Sequence, residues 1–391
     1  MKILIIANGY PEINESQWGC FERDQALALK NAGHTVSIMY VDRRFRKHWR
    51  KIGKSKRSDM GLSIYGMYYL PLGWLRDKVS YRLHQKVVMW MYDILYRDYV
   101  KDHGSPDVLY AHFQWNISYV SRLRKKYGIP LIGVEHWSGM TSETLPPLSI
   151  YQGNIAYSTA DKILAVSKSL QSDIYRHFGK ESTVVYDMLG QEFIASDTRT
   201  DKKTESFLSG GAFQFVAIGS LIYRKGFDVL IDAFAKSNLA KKKCRVVIIG
   251  DGPEKMKLIK QTEEFGLSDC VSLVGRKTKD EIISIMHDSH AFVLSSRAET
   301  FGVVCIEALS QGLPNIATIC GGPEEFVNER NGLLVEPNDV DALSEAMCKM
   351  FENHNQYDKV AIANECINHF SPSVIAKQLS AIFEEVINNR E

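Results

Sequence analysis

The chain has 391 residues, 45% of them apolar and 24% charged, with a formal net charge of +2. That length suits two domains with separate cores, and the near-neutral balance excludes general nucleic-acid binding, so any electrostatic role has to be local. The seven cysteines, with no pair at metal-ligand spacing, read as free thiols in a reducing compartment; no apolar run reaches transmembrane length, so the expected location is cytoplasmic.

The opening apolar run, Ile3 to Ala7, is too short for a secretory signal and predicts a first buried strand over Lys2 to Ala7. A helix from about Phe21 to Asn31, a stop at Ala32-Gly33-His34 and a strand over Thr35 to Tyr40 follow. Next comes a basic run: Arg43, Arg44, Arg46, Lys47, Arg50, Lys51, Lys54, Lys56 and Arg57, with Phe45, Trp49 and Ile52 interleaved and no acidic residue. Trp74, Leu75, Trp90, Met91 and Tyr92 lie beyond it. Residues 43–57 and 74–92 are therefore expected to attract an anionic membrane or a pyrophosphate-linked lipid, at the inner face of the cell membrane; RNA binding and a solvated loop are the competing readings. Strands are predicted at Val108 to Ala111, Leu131 to Val134, Lys162 to Val166 and Thr183 to Tyr186, with helices between them. Such alternation implies a parallel, doubly wound sheet. Between Gly190 and Gly211 the apolar periodicity fails, which marks a linker.

The second half repeats the architecture, with strands predicted at Gln214 to Gly219, Arg245 to Ile249, Val271 to Val274, His290 to Leu294, Asn315 to Thr318 and Gly332 to Val335. The expected fold class is α/β, two Rossmann-like doubly wound domains facing across a cleft. Their expected bounds are 1–200 and 201–371, with a helix over 372–391 returning to the first. In open sheets of this kind ligands bind beyond the carboxyl ends of the strands, so chemistry is expected on the loops that follow the strands.

Glu299 and Glu307 stand eight positions apart across a strand-to-helix turn, and the amides of Phe301, Gly302 and Val303 lie where a helix N-terminus seats a diphosphate. Arg224 and Lys225, after the strand that ends near Gly219, offer two cations to phosphate oxygens, next to Ser220. Gly250-Asp251-Gly252-Pro253 is a second strand exit where glycines allow close backbone approach, and Gly275-Arg276 is a third. Each has a plainer reading as helix electrostatics, a solvated turn or turn geometry. In the first half His112 and His136 occupy strand exits, where imidazole hydrogen-bonds a hydroxyl or moves a proton. Asp339-Val340-Asp341 has the look of a metal-binding aspartate pair, but its place before a helix favours capping; no metal is expected.

Taken in order, Gly19 before the Gln25 to Leu29 helix, Gly33-His34-Thr35-Val36, His136, Arg224-Lys225-Gly226, Gly250-Asp251-Gly252-Pro253 and the Glu299 to Glu307 segment resemble the glycosyltransferases of family 4, retaining enzymes of the GT-B fold, over nearly the whole chain. The resemblance implies a nucleotide diphosphate-sugar, UDP-linked above all, bound mainly by the second domain (201–371) as substrate and with no cofactor, and makes the first (1–200) the acceptor-binding domain. Lys225, a neighbouring arginine and the amides near Phe301 to Val303 would hold the diphosphate and Glu307 the ribose, while base recognition falls near Gly275-Arg276. Glu299 and His136 would be the catalytic residues, close to the donor sugar, and Gly19 would let its loop approach phosphate. Many relatives carry Arg at the position of Ser220, which shifts the phosphate role to Arg224, and paired glycines where this chain has Gly19-Cys20. The acceptor is expected to be a saccharide or lipid-linked saccharide of a bacterial surface polysaccharide or glycoconjugate. A GT-B epimerase or phosphorylase, a noncatalytic sugar-nucleotide sensor and a periplasmic binding protein are the alternatives.

Overall fold

The computed structural model describes residues 1–12, 18–42, 51–69, 81–195 and 212–389. The chain forms two compact units, Met1–Tyr186 with Pro372–Glu391, and Asp187–Ser371. Of the basic run, residues 43–50 lie outside the described residues, as do 74–80 of the aromatic segment and 196–211 of the linker.

In the first unit β1 (Lys2–Ile6), α1 (Cys20–Asn31), β2 (Thr35–Asp42), β3 (Gly53–Asp59), β4 (Leu62–Tyr68), α2 (Tyr81–His103), β5 (Val108–His112), α3 (Gln114–Tyr127), β6 (Leu131–Glu135), α4 (Pro147–Thr159), β7 (Lys162–Ala165), α5 (Lys168–Phe178) and β8 (Thr183–Val184) build one sheet, in the order β3-β4-β2-β1-β5-β6-β7-β8. Every pair is parallel except β3 with β4. Ile3 to Ile6 and all of β5 and β6 are buried, as strands covered on both faces must be, which is why they read as unbroken apolar runs.

The β3–β4 hairpin was not expected. Met60 and Gly61 turn it with φ of 50° and 74°, the positive pair of a two-residue hairpin turn. Its outer strand carries part of the basic run, and Lys54 and Lys56 pair with Asp98 and Asp102 of α2 at 2.7 Å each. Charged side chains on an edge strand protect it from pairing with another chain.

The second unit contains α6 (Glu192–Ala195), β9 (Phe213–Ile218), α7 (Phe227–Ser237), β10 (Cys244–Ile249), α8 (Lys255–Glu264), β11 (Val271–Gly275), α9 (Lys279–His287), β12 (Ala291–Leu294), α10 (Val303–Ser310), β13 (Asn315–Thr318), β14 (Gly332–Val335), α11 (Val340–Asn353) and α12 (Lys359–Phe370). Its strand order is β11-β10-β9-β12-β13-β14, a doubly wound sheet whose order reverses between β9 and β12. Phe215, Leu230, Phe234, Ile248, Val293 and Met347 are among the residues of its core. The C-terminal helix α13 (Pro372–Asn388) belongs to the first unit. It buries Ile375, Leu379 and Phe383, packs on α1, and receives a 2.7 Å hydrogen bond between His34 Nε2 and Ser380 Oγ.

Glu135, fully buried at the end of β6, ties the first unit's strand exits together. One carboxylate oxygen accepts from the amides of His136 and Trp137 at 3.0 and 2.9 Å; the other accepts from the Gln114 amide at 2.9 Å and Tyr157 Oη at 2.7 Å. It therefore caps α3 while holding the β6 exit. Glu135→Gln keeps the volume but turns one acceptor into an NH₂ facing two donors. The expected cost is roughly 2–4 kcal/mol. All six tryptophans lie before residue 187, so tryptophan fluorescence in urea reads this unit alone, and an unchanged midpoint would contradict the assignment.

Candidate active site

Because β9 and β12 are sheet neighbours, their exit loops lie side by side at the reversal of strand order, and the candidate residues of the second unit sit on those loops. The β9 loop ends in a short turn, Tyr223–Lys225, and Gly226 passes so close to the β12 exit that a Cβ there would lie 2.0 Å from the Ser295 carbonyl oxygen. The Arg297 amide donates to the Arg224 carbonyl at 2.7 Å, and Ser295 Oγ donates to the Lys225 carbonyl at 3.2 Å. The loops are thus one backbone-locked surface.

On that surface Lys225 Nζ meets Glu299 Oε1 at 2.5 Å, and Ser296 Oγ donates to the same oxygen at 2.7 Å. Arg224 Nη1 lies 3.9 Å from Glu299 Oε2 and donates to the Ala298 carbonyl at 3.1 Å. The Glu299 amide reaches the Cys320 carbonyl at 2.9 Å, which links the β13 exit as well. Lys225 has three ammonium protons and one carboxylate partner, so it retains donors for a further anion, as does the five-donor Arg224 fork.

Arg297, for which the sequence suggests no role, holds this arrangement from behind. Its guanidinium makes a two-pronged contact with the Asp228 carboxylate at 2.9 and 2.8 Å, donates to Asn338 Oδ1 at 2.6 Å and lies 3.8 Å above the Tyr223 ring. The arginine beside it holds the Asp228 carboxyl below the usual carboxylate range against the opposing effect of burial. A charged residue at one strand exit and an acidic first helical turn after another were the available signal. Only the tertiary pairing of β9 with β12 connects the two.

The expected donor residues divide into two groups. Phe301 turns its ring into a cluster with Phe326 and Phe370 and is buried, so only its backbone is offered to a ligand; Gly302 caps α10 with φ 91°, and Val303 opens that helix. Glu307 lies on α10 with no hydrogen bond or salt bridge to its carboxylate among the described residues. Enclosure by protein pushes its pKa up to about 7, with Lys279 opposing and Glu192 adding to the rise. Gly250 and Gly252 instead pack on their own unit: Cβ atoms there would lie 1.8 Å from the Gly219 carbonyl oxygen and 2.4 Å from that of Leu221. Backbone bonds Leu221 N to Asp251 O, Glu254 N to Leu221 O and Gly250 N to Gly275 O zip the β9, β10 and β11 exits together. Ser220 and Arg276 are exposed beside that zipper. Asp339 caps α11 through Ala342 N, and Asp341 pairs with Lys236. Among the described residues no three His, Cys, Asp or Glu side chains cluster as metal ligands.

In the first unit, Gly19 (φ 75°) lies against Gly9 and Tyr10, where a Cβ would lie 2.5 Å from the Gly9 carbonyl. His136 follows Glu135, and its Nε2 is 3.1 Å from Nδ1 of His112, which as a lone histidine had the weaker sequence claim to a role. Phe113, between His112 and the start of α3, has φ 69° and ψ 141°, a conformation rare for any residue but glycine. It is held by the hydrogen bond that its amide N–H donates to the Val134 carbonyl at 2.8 Å and by stacking on Trp115.

The model of glycosyl transferases group 1 matches residues 198–365 and that of glycosyltransferase family 4 matches residues 23–187. The chain is similar to an uncharacterized glycosyltransferase of Methanocaldococcus jannaschii, 30% identical over 63% of this chain and 66% of the relative, and to the glycogen synthase of Mycobacterium tuberculosis, 26% identical over 63% and 61%. It spans somewhat under two thirds of the length of these curated relatives. Among solved structures, sucrose-phosphate synthase from Thermosynechococcus elongatus superposes with a TM-score of 0.79 at 17% identity over 100% of both chains. Anabaena HepE in complex with UDP superposes with 0.73 at 19% over 98% of this chain and 100% of the other. The fold is GT-B, and the chain belongs to glycosyltransferase family 4, with the second unit matching the glycosyl transferases group 1 model.

Proposed function

We propose that the protein is a retaining glycosyltransferase that moves a sugar from a nucleotide diphosphate-sugar to an acceptor hydroxyl, in the synthesis of a surface polysaccharide or glycoconjugate. The observation that carries this reading is the Arg224-Lys225-Glu299-Ser296 cluster at the reversal of strand order, beside an α10 whose Glu307 has no donor among the described residues. Lys225, Arg224 and the α10 N-terminus hold the leaving diphosphate, while Glu307 accepts from the ribose hydroxyls. Glu299 sets Lys225 in place and orients the donor sugar. The bond from the anomeric carbon to the β-phosphate oxygen breaks, the acceptor oxygen bonds to that carbon on the same face, and its proton passes to a phosphate oxygen. The protein supplies position and charge, and the reading calls for no cofactor or metal. Complexes of Anabaena HepE with UDP-glucose favour UDP as the nucleotide.

The helix α2 bears on the acceptor. Leu83 and Trp90, each 55% exposed, and Val87 form an outward stripe at helical spacing. Lys86 and Met89 share a shallow groove with Arg122, Lys125, Tyr151 and Ile155. Arg82, Lys86, Arg122 and Lys125 have no carboxylate partner among the described residues. This face supports a lipid-linked acceptor taken from an anionic membrane surface. No helix among the described residues is long and apolar enough to cross a membrane.

Release of UDP, GDP or ADP is expected only when donor and acceptor alcohol are both present; release without an acceptor points to another reaction. Calorimetry with UDP should show Glu307→Ala weaker by roughly 10–100-fold, whereas Glu299→Gln binds UDP within about threefold of the parent and loses turnover. Unchanged affinity in the first variant removes the ribose assignment. Since ribose hydroxyls bond the ionised carboxylate and Glu307 titrates at about 7 in the free protein, UDP affinity falls as pH drops through 7. From about pH 8 to about pH 6 the loss is about tenfold, and Glu307→Gln should remove it, leaving only what the nucleotide phosphate contributes. In flotation, vesicles rich in phosphatidylglycerol should carry the protein in low salt and release it in high salt; Lys86→Glu with Arg122→Glu should abolish carriage, and equal binding to neutral vesicles would dismiss an electrostatic membrane face.

A further inference from the structure

His112 and His136 form a pair whose proton arrangement is restricted by what surrounds it. The ring planes are parallel to within 2°, and the centres are 5.2 Å apart, the separation that an edge-to-edge hydrogen bond between two imidazoles produces. His112 is 1% exposed, and its second nitrogen, Nε2, is enclosed without any hydrogen-bond partner. Burial, helped by the neighbouring His136, keeps His112 neutral by lowering its pKa well below 6.5. A neutral imidazole carries one N–H and one lone pair, so the pair has two arrangements. If His136 Nε2 donated, His112 would carry its own proton on the enclosed Nε2, an orphaned buried N–H. If His112 Nδ1 donates, the enclosed nitrogen holds only a lone pair. Orphaned buried N–H groups are rarer than under-satisfied acceptors, which selects the second arrangement.

We propose that His112 is a positioning residue: it donates Nδ1–H to His136 Nε2 and so holds His136 as the Nδ1–H tautomer, the form in which its other ring nitrogen acts as a donor toward a sugar oxygen. The functional half rests on the reading of His136 as the residue facing the donor sugar. The surrounding backbone is arranged to keep the pair in register. Phe113, in its rare conformation, directly follows His112, and the Glu135 carboxylate fixes both the His136 amide and the start of α3. The Glu135 oxygens already accept four donors, and the Phe21, Tyr110 and Phe113 rings pack around the two imidazoles.

The test is a long-range proton–nitrogen correlation spectrum of the full chain labelled with nitrogen-15 histidine, without substrate, assigned with His136→Gln. Expected are a protonated Nδ1 and a bare Nε2 at His136. His112→Asn, whose amide N–H replaces the Nδ1 donor, should preserve that pattern, and His112→Phe should lose it. A protonated Nε2 on His136 in the parent protein, or no change at His136 in His112→Phe, overturns the lock. In acceptor-dependent transfer, His112→Phe should lower turnover roughly 10–100-fold with donor KM within about threefold, and His112→Asn should restore most of it. Full turnover in His112→Phe with a shifted tautomer overturns the functional half. Failure of the glycosyltransferase reading is distinct from both: it leaves the expected spectrum and no acceptor-dependent release in the parent protein.

Discussion

The loops that leave a parallel sheet have no ladder of their own, and in each unit a buried carboxylate at a strand exit supplies the missing connection. Glu135 accepts four donors from the β5 exit, the β6 exit and α4. Glu299 takes Lys225 from the β9 exit and Ser296 from its own loop, while its amide reaches the β13 exit. A carboxylate suits this position because it offers about four acceptor sites in a compact group, and its charge complements the helix N-termini that begin there. Removing either leaves several donors, or an ammonium, buried without a partner, and such losses are the costly ones. The loops are consequently cross-linked by the protein's own groups, and preorganisation of that kind is the condition electrostatic catalysis requires.

Much of the fold was legible because parallel sheets write themselves plainly. The strands at Ile3, Val108, Leu131, Val246, Phe292 and Ile316 are apolar on both faces, and glycines or caps punctuate the helices between them. The β3–β4 hairpin was not legible, because β3 reads Gly-Lys-Ser-Lys-Arg-Ser-Asp and has no apolar face. Its stability comes from β4 on one side and from acidic residues of α2, which lie far along the chain. The same distance hid the meaning of the basic run: two of its cations serve the sheet edge, and the cations beside the α2 stripe that lack a carboxylate partner among the described residues include Arg122 and Lys125, which belong to α3.

The candidate site was legible in kind and less so in detail. Arg224, Lys225 and Glu299 were recognisable as charged residues at strand exits, and they are brought together. What the sequence did not reveal is that Lys225 is already paired, or that Arg297 and Asp228 lock the loop behind it. The glycines are the instructive case. Gly250 and Gly252 read as sites of close backbone approach at a donor-binding strand exit, and their missing Cβ atoms let the β10 exit lie on the β9 exit. Close approach was the right physical reason; the approaching group is protein backbone. Only the tertiary fold distinguishes these two uses, since both ask for the same residue.

The state of satisfaction of the three glutamates separates their roles more sharply than their spacing does. Glu135 and Glu299 are surrounded by donors, and carboxylates in that condition hold structure together. Glu307 is crowded by protein yet receives no hydrogen bond among the described residues, and its raised pKa is the consequence of that crowding. A half-buried carboxylate left so is a cost to the free protein, because its charged form is partly desolvated and Lys279 only partly offsets that. Such a cost persists at a position where a ligand removes it. A vicinal diol is a fitting ligand: two hydroxyls donate to two oxygens without bringing a charge that would compete with Lys225 and Arg224 for the diphosphate. On the proposed reading, the cluster and the lone carboxylate select different parts of one molecule, the first by charge and the second by hydrogen-bond count.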